Sequence, residues 1–341
     1  MVEQKQPILR IEDLYINYKV YGGYSYVIDG LNLNVFPGEK IALVGESGCG
    51  KTTTVKSILR VLPKQAKIAG GSIVFDGHDV LNIKPNELNE VRRRKMSMIF
   101  QDPTASLNPV FTIGKQISDS IKYSGLADRK DKKAIKERAI QALNDCSMPD
   151  PERIMGNYPF QLSGGMRQRV CIAMALATAS KFMIADEPTT NLDVTIQDQV
   201  LKLIRNLTDE KDMSLILITH SMGVARMMAD RICVMYAGNI VENAKTEELL
   251  EKPQHPYTVG LMNSIPKLTG DSILSGIPGR LPSYLTPPPG CRFSTRCPHA
   301  FDSCFVKKPP FYDIGNGHQV ACYLHDKSVP QSIKEEAVSN E

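Results

Sequence analysis

Three short runs of this sequence have the residue types and spacing for phosphate chemistry. In Gly45-Glu46-Ser47-Gly48-Cys49-Gly50-Lys51-Thr52, the glycines permit φ values that let successive backbone N–H groups wrap an anion. Lys51 can set its ammonium on β- and γ-phosphates, and the Thr52 hydroxyl can ligate Mg²⁺. Farther on, the apolar run Phe182-Met183-Ile184-Ala185 ends in Asp186-Glu187. A carboxylate at a strand end, Asp186, can reach a magnesium ion without burying an uncompensated charge. Its neighbour Glu187 can orient and deprotonate a water. Between these lies Leu162-Ser163-Gly164-Gly165-Met166-Arg167-Gln168, before an apolar helical stretch. A helix start with free N–H groups and a serine hydroxyl is a second anion site.

Such groups need a frame that alternates strands with helices. Runs at 8–14, 31–35 and 41–44 are β-rich, with Pro37-Gly38-Glu39 as the turn before the last. A helix over 51–61 after the third of these gives the phosphate loop its required context. Residues 72–75 and 96–100 are further strands. From Asp102 to about Pro159 helical patterns dominate, with a charged stretch over 128–145. Strands return at 182–186, 215–219 and 232–236, each after a helical stretch, which predicts a parallel sheet of crossover units. Beyond Glu251 the composition shifts toward Pro and Gly, and Pro287-Pro288-Pro289-Gly290 precedes a group of cysteines. The expected organisation is an α/β domain over 1–250 carrying a helical insertion at about 102–176. A small cysteine-bearing extension follows over 251–326, then a polar, mobile tail over 327–341. No internal repeat or heptad run interrupts this.

Composition excludes several classes. With 341 residues the chain has room for one large domain and an appendage. A net charge of +4 does not argue for nucleic acid as a partner, and the lack of tryptophan argues against base stacking. No run reaches the ~18 apolar residues of a membrane span. The most apolar stretch, 170–179, is short and Ala-rich. The start, Met1-Val2-Glu3-Gln4-Lys5, lacks a basic-then-apolar signal. The expectation is a cytosolic protein that needs other subunits to reach across a membrane. Cys49, Cys146, Cys171 and Cys233 are scattered singly, as suits a reducing compartment.

The Ser-Gly-Gly-x-x-Gln element, between a phosphate loop and an apolar strand ending in Asp-Glu, resembles the signature of the ATP-binding cassette family. The resemblance covers roughly the first three-quarters of the chain. It implies a P-loop NTPase core of the cassette type, α/β with an antiparallel β subdomain. ATP and Mg²⁺ are the implied cofactors, with hydrolysis between two cassettes facing head to tail. Gly45, Ser47, Gly48, Cys49, Gly50, Lys51, Thr52 and Thr53 would then hold the chain's own nucleotide. Ser163, Gly164, Gly165 and Gln168 would serve the nucleotide of the partner cassette. Thr52, Gln101 and Asp186 would share the magnesium, with Glu187 the catalytic base. His220 would be the switch on the γ-phosphate. Gln101 would also contact the water and lie where the cassette meets membrane subunits. Asp193 matches the loop that crosses the dimer interface. Tyr18 has the spacing of the aromatic ring against adenine, a role for which Tyr15, Tyr21, Tyr24 and Tyr26 compete. Two residues depart from the pattern: Ser221, where many relatives carry Asp, and Asn191, where relatives usually carry Ala.

Cys291, Cys297, Cys304 and Cys322 give C-x5-C-x6-C-x17-C. Structural zinc sites use C-x2–4-C pairs, and none occurs here. Four thiolates in a loop-rich segment could hold an iron–sulfur cluster, zinc, or nothing. Gln254-His255-Pro256-Tyr257-Thr258, Cys291-Arg292-Phe293, Arg296-Cys297-Pro298 and Ala321-Cys322-Tyr323-Leu324 resemble the extension of dipeptide and oligopeptide permease ATPases. Some of these carry a [4Fe–4S] cluster, which implies those four cysteines as its ligands. His299, His318 and His325 are near but not needed. The resemblance implies an ATPase that energises a peptide importer from the cytoplasmic face of the membrane. Its partners would be a second homologous ATPase subunit, two transmembrane permease subunits and, indirectly, an extracytoplasmic substrate-binding protein. Cargo of oligosaccharides or nickel chelates is the alternative. A non-transport cassette ATPase, or a module that binds nucleotide without turnover, is the rival of another class. The cysteines lie outside the phosphate loop and the carboxylate strand, which predicts a structural or docking role separate from nucleotide binding.

Overall fold

The computed structural model describes residues 6–178, 181–190, 192–265, 276–332 and 334–335. Asn191, Ala179 at the end of the apolar 170–179 run, and part of the expected 327–341 tail lie outside the described residues. In chain order the strands are β1 (Leu9–Val20), β2 (Gly23–Val35), β3 (Lys40–Val44), β4 (Ala66–Phe75), β5 (His78–Asp79) and β6 (Met96–Ile99). They continue as β7 (Phe182–Asp186), β8 (Ser214–Thr219), β9 (Arg231–Tyr236), β10 (Asn239–Lys245), β11 (Tyr312–Asp313) and β12 (Gln319–Val320). The chain forms two compact units.

One unit combines residues 8–34 and 41–81 with the chain from 219 onward. It holds an antiparallel sheet in the order β2-β1-β4-β5. Leu9, Ile11, Leu14 and Ile16 of β1 are buried on its inner side, and the register slips between Glu12 and Ile16. β1 and β2 are longer than the expected strands over 8–14 and 31–35. Their outer halves carry exposed Tyr15, Tyr24 and Tyr26, with exposed Tyr21 in the turn between them, so no apolar alternation marks them in the sequence. Gly22, with φ +84°, makes the turn between them.

The same unit carries the strands β11-β12-β10-β9-β3 in that order. β3 runs parallel to β9, with Ile41 opposite Arg231 and Val44 opposite Val234. Every residue of β3 is buried, as a parallel strand covered on both faces requires. Beneath it Val44, Val234, Tyr236, Tyr257 and Phe293 form one apolar cluster. The C-terminal segment therefore supplies core residues to this unit.

The other unit contains residues 35–40 and 82–218. Its strands β6, β7 and the first part of β8 are parallel, with Met96 opposite Phe182 and Phe182 opposite Ser214. The helices Ile113–Ser124, Lys132–Asp145, Pro151–Gly156 and Gly164–Leu176 fill the region expected to be a helical insertion. Thr112, Asp131, Asp150 and Ser163 cap them, each side chain accepting a backbone N–H of the first turn. Ile117, Ile121, Ala139, Leu143 and Val170 are buried among these helices. Among the described residues no helix is long and apolar enough to cross a membrane.

Candidate functional site

The phosphate loop follows β3 and ends at the helix Lys51–Ile58. Gly48 and Gly50 take φ +83° and +110°, the left-handed region that glycine enters without a side-chain clash. Gly45 is needed for a different reason: a Cβ there would lie 2.1 Å from the Met235 carbonyl oxygen. Lys51 is buried, and its ammonium donates to the Gly45 and Glu46 carbonyls at 2.7 and 2.9 Å. Cys49 is fully buried and accepts the Gly238 N–H on its carbonyl at 2.7 Å. Burial raises its thiol, and the Lys51 ammonium works against that rise. Ser47 and Gly48 are exposed at the rim, and Thr52 and Thr53 are half-buried. The Tyr18 hydroxyl lies 3.2 Å from the Thr53 hydroxyl, which ties the end of the β1 strand to the loop's helix. His220 is exposed just after β8. Ser221 caps the helix Met222–Met228 by accepting the Val224 N–H at 3.3 Å, a task an Asp performs equally well.

In the other unit β7 is buried throughout and delivers Asp186, itself only 4% exposed. Glu187 turns out of the strand at φ +45°, a left-handed conformation that costs a non-glycine residue about 1–2 kcal/mol. Its N–H donates to the Ile218 carbonyl at 3.0 Å. One oxygen, Oε2, accepts from Gln101 Nε2 at 2.9 Å and from the Thr190 hydroxyl at 3.1 Å. Gln101 and Glu187, far apart in sequence, are thus joined. Strain held at a hydrogen-bonded carboxylate points toward function, and no glycine at this position signals it in the sequence.

The Ser-Gly-Gly element opens the helix Gly164–Leu176, so its two glycines form the first helical residues. The Ser163 hydroxyl accepts the Met166 N–H at 3.3 Å while Ser163 stays exposed. Gly165 faces Ile196, where a Cβ would come within 2.8 Å of Cγ2. Gln168 is 1% exposed and donates to the Pro188 carbonyl at 2.6 Å. It therefore links the signature helix to the loop after Glu187. Asp193 caps the helix Val194–Glu210 by accepting the Ile196 N–H at 2.9 Å.

Cys291, Cys297, Cys304 and Cys322 line one cavity, together with His255, Phe293, Ser294, His299 and Tyr323. Burial pushes the Cys291 thiol up to about 11, against the lowering effect of the Phe293 N–H, with Cys304 adding to the rise. The Cys297 thiol is pushed up to about 12 by burial, opposed by the His299 N–H and reinforced by Cys291 and Cys304. Burial also raises Cys304, and raises Cys322 against the pull of the Leu324 N–H. Among the described residues, no three His, Cys, Asp or Glu side chains are gathered as a single ion requires.

Residues of this segment also meet the phosphate loop. The Glu46 N–H donates to the Tyr257 hydroxyl at 3.0 Å, and the Tyr284 hydroxyl donates to the Gly48 carbonyl at 2.8 Å. Arg296 Nη1 reaches both carboxylate oxygens of Glu46 at 3.1 Å. None of Tyr257, Tyr284 and Arg296 was singled out as a site residue from the sequence. The one available signal was that Tyr257 and Arg296 fall inside the runs shared with permease extensions.

Residues 28–190 match the family model for ABC transporters, and residues 241–304 match the C-terminal region of oligopeptide/dipeptide transporters. A probable peptide ABC transporter ATP-binding protein of Sinorhizobium fredii is 44% identical over 94% of this chain and 96% of its own length. The oligopeptide transport ATP-binding protein OppD of Bacillus subtilis is 42% identical over 97% of this chain and 92% of its own. The dipeptide transport ATP-binding protein DppD of that organism is 40% identical over 96% and 98%. Among solved structures, a dimeric ATP-binding cassette in a post-hydrolysis state with ADP and Pi matches at TM-score 0.63. It shares 27% identity over 70% of this chain and 98% of its own.

Proposed function

The chain belongs to the ATP-binding cassette transporter family, and from that premise we propose that it is the ATP-hydrolysing subunit of a peptide importer. The observation that carries the peptide reading is that one chain joins a cassette to the oligopeptide/dipeptide C-terminal region, and that relatives named for peptide transport align along nearly its whole length.

Roles follow from the chemistry of each group. The loop amides of 45–52 and the Lys51 ammonium bind the phosphates, and Tyr18 and Thr53 border the nucleotide. Thr52, Asp186 and Gln101 would hold a magnesium ion, whose charge would offset that developing on the transferred phosphoryl group. Glu187 takes the proton of the attacking water, with Gln101 and Thr190 fixing its carboxylate. His220 contacts the γ-phosphate. Ser163, Gly164 and Gly165 act on the nucleotide of a partner cassette, with Gln168 setting their helix against the loop after Glu187, and Asp193 lies at that interface. The partner is a second, homologous ATPase. The pair sits on the cytoplasmic face of two membrane subunits fed by an extracytoplasmic binding protein. The test is ATP hydrolysis by the reconstituted assembly, stimulated by binding protein loaded with peptide. Stimulation by an oligosaccharide or a nickel chelate alone would move the cargo to that class. A complex that binds ATP without turnover would make the chain a binding module.

For the cysteine pocket we propose a [4Fe–4S] cluster on Cys291, Cys297, Cys304 and Cys322. Four cysteines line one cavity, and four thiolates are the ligand number of such a cluster. The burial that raises these thiols also means that four thiolates need a cationic centre between them. Protein purified without oxygen should carry about four iron and four sulfide per chain. Stoichiometric zinc without iron would reject the cluster.

A further inference from the structure

The phosphate loop is held from outside the cassette sequence. Glu46 is gripped at its N–H by Tyr257 and at its carboxylate by Arg296, and Gly48 at its carbonyl by Tyr284. Leu281 lies against Gly48. Arg296 is itself immobilised. Its side chain is 5% exposed, and Nε and Nη2 donate to the Pro278 and Ile277 carbonyls at 2.7 and 3.1 Å. Nη1 also meets the Tyr236 hydroxyl at 3.3 Å. A guanidinium with this many fixed partners transmits displacement instead of absorbing it. A second arginine works on the other side of the loop. Arg292 Nη1 donates to the Ala237 and Tyr26 carbonyls at 2.6 and 2.9 Å, beside Gly238, whose N–H holds the Cys49 carbonyl. Arg292 follows Cys291 and Arg296 precedes Cys297. The walls of the cysteine pocket and the grip on the loop are therefore the same two stretches of backbone.

We propose that Arg296 and Tyr284 are positioning residues that hold the phosphate loop in its nucleotide-binding shape, so that the cysteine-lined extension sets nucleotide affinity. This rests on the reading of 45–52 as the nucleotide site. Neither residue touches the reacting atoms. They raise the fraction of molecules whose loop is ready to bind, and apparent affinity scales with that fraction. Two consequences distinguish this from general stabilisation. ATP and ADP must weaken by the same factor, because the loop shape serves both. The coupling must also run in reverse, so that nucleotide stiffens the extension.

The test uses the full chain and titrates ATP (with EDTA, to block turnover) and ADP. Arg296→Gln should raise both dissociation constants by roughly 5- to 30-fold, the scale of a charge-assisted pair partly expressed in binding. Arg296→Lys should recover part of that loss. Tyr284→Phe, which keeps the ring and is the variant less able to disturb folding, should raise both constants by roughly 2- to 5-fold. In the assembled complex KM should rise while the rate at saturating ATP is kept. Nucleotide should slow amide exchange over 291–297 in the wild type and lose that effect in Arg296→Gln. Lys51→Ala is the parallel control: if it leaves binding intact, the reading of the nucleotide site fails. If Lys51→Ala abolishes binding while folded Arg296→Gln and Tyr284→Phe bind like wild type, the positioning proposal alone is overturned.

Discussion

Replacing Glu187 by Gln separates the two energies that this carboxylate controls. In structure the change is small. The amide oxygen can take the place of Oε2 and still accept from Gln101 Nε2 and the Thr190 hydroxyl, now 2.9 and 3.1 Å away. Only the charge assistance of those bonds is lost, about 1 kcal/mol each in a buried setting. Gln101 is exposed and Glu187 half-buried, so solvent screening brings the total below about 1 kcal/mol. The backbone strain at φ +45° is common to both residues and cancels. The catalytic loss is far larger. A positioned general base contributes about 10²–10⁴ in rate, or roughly 2.7–5.5 kcal/mol at 1.36 kcal/mol per decade. Glu187→Gln should therefore melt within a few degrees of the wild type and bind ATP with similar affinity. Its turnover in the assembled complex should fall by about 100-fold or more. The measurements are nucleotide titration of the subunit and steady-state phosphate release by the complex. Turnover within about threefold of wild type would lie outside what a general base can lose, and would remove Glu187 from that role. Loss of ATP binding in a folded variant would mean instead that the carboxylate holds nucleotide.

Ser163→Arg should leave ATP bound to the chain's own phosphate loop and block ATP-driven pairing of cassettes, read by light scattering. Loss of nucleotide binding by the isolated subunit would contradict action on a partner's nucleotide. Gly45→Ala drives a methyl into the Met235 carbonyl, 2.1 Å away. It should cost at least about 2 kcal/mol of stability, the scale of a core overpacking, and should weaken nucleotide binding, whereas Gly156→Ala meets nothing within 4 Å and should be silent in both assays. Cys297→Ser should weaken ATP binding because its neighbour Arg296 holds Glu46. Wild-type affinity in that variant would restore the independence of pocket and loop that the sequence implied.

What was legible in the sequence is what neighbouring residues determine together. A buried parallel strand, a glycine loop and a helix follow one another within 40–58, so composition alone announces the phosphate loop. The apolar run before Asp186 and the glycines after Ser163 are equally local. The Gln101–Glu187 bond spans 86 residues; the family resemblance set both residues at the attacking water, but no local pattern in the sequence shows that their side chains bond. The left-handed backbone of Glu187 was invisible because no glycine marks it. The outer halves of β1 and β2 escaped notice because Ile16 and Ile28 are isolated buried positions among exposed and half-buried residues, which leaves no apolar period to detect. The charged stretch expected over 128–145 forms a helix only from Lys132, because Asp131 spends its carboxylate on the Ala134 N–H and so fixes the start.

The extension was hardest to read for a physical reason. Among its described residues, short helices and the two-residue strands β11 and β12 are its regular structure, so much of it must satisfy its backbone and hold its place by other means. Its links to the phosphate loop join residues 211, 236 and 250 positions apart, beyond the reach of any periodic pattern. Glu242 shows the same logic from the cassette side. A carboxylate with no exposure in the middle of β10 looks misplaced in a strand until its partners are counted. One oxygen accepts the Gln254 N–H at 2.8 Å and the other the His255 N–H at 2.9 Å. His318 Nε2 meets the first oxygen at 2.8 Å. A buried acid with this many donors is stable only while all are present, since losing one leaves the rest of its desolvation uncompensated. Residues 254–255 precede Cys291 and His318 lies four residues before Cys322, so Glu242 ties the approach to the cysteine segment and its later part to one strand. That arrangement explains how a stretch rich in Pro, Gly and Cys can be held firmly enough to position a phosphate loop, although its own sequence carries almost no helix or strand signal.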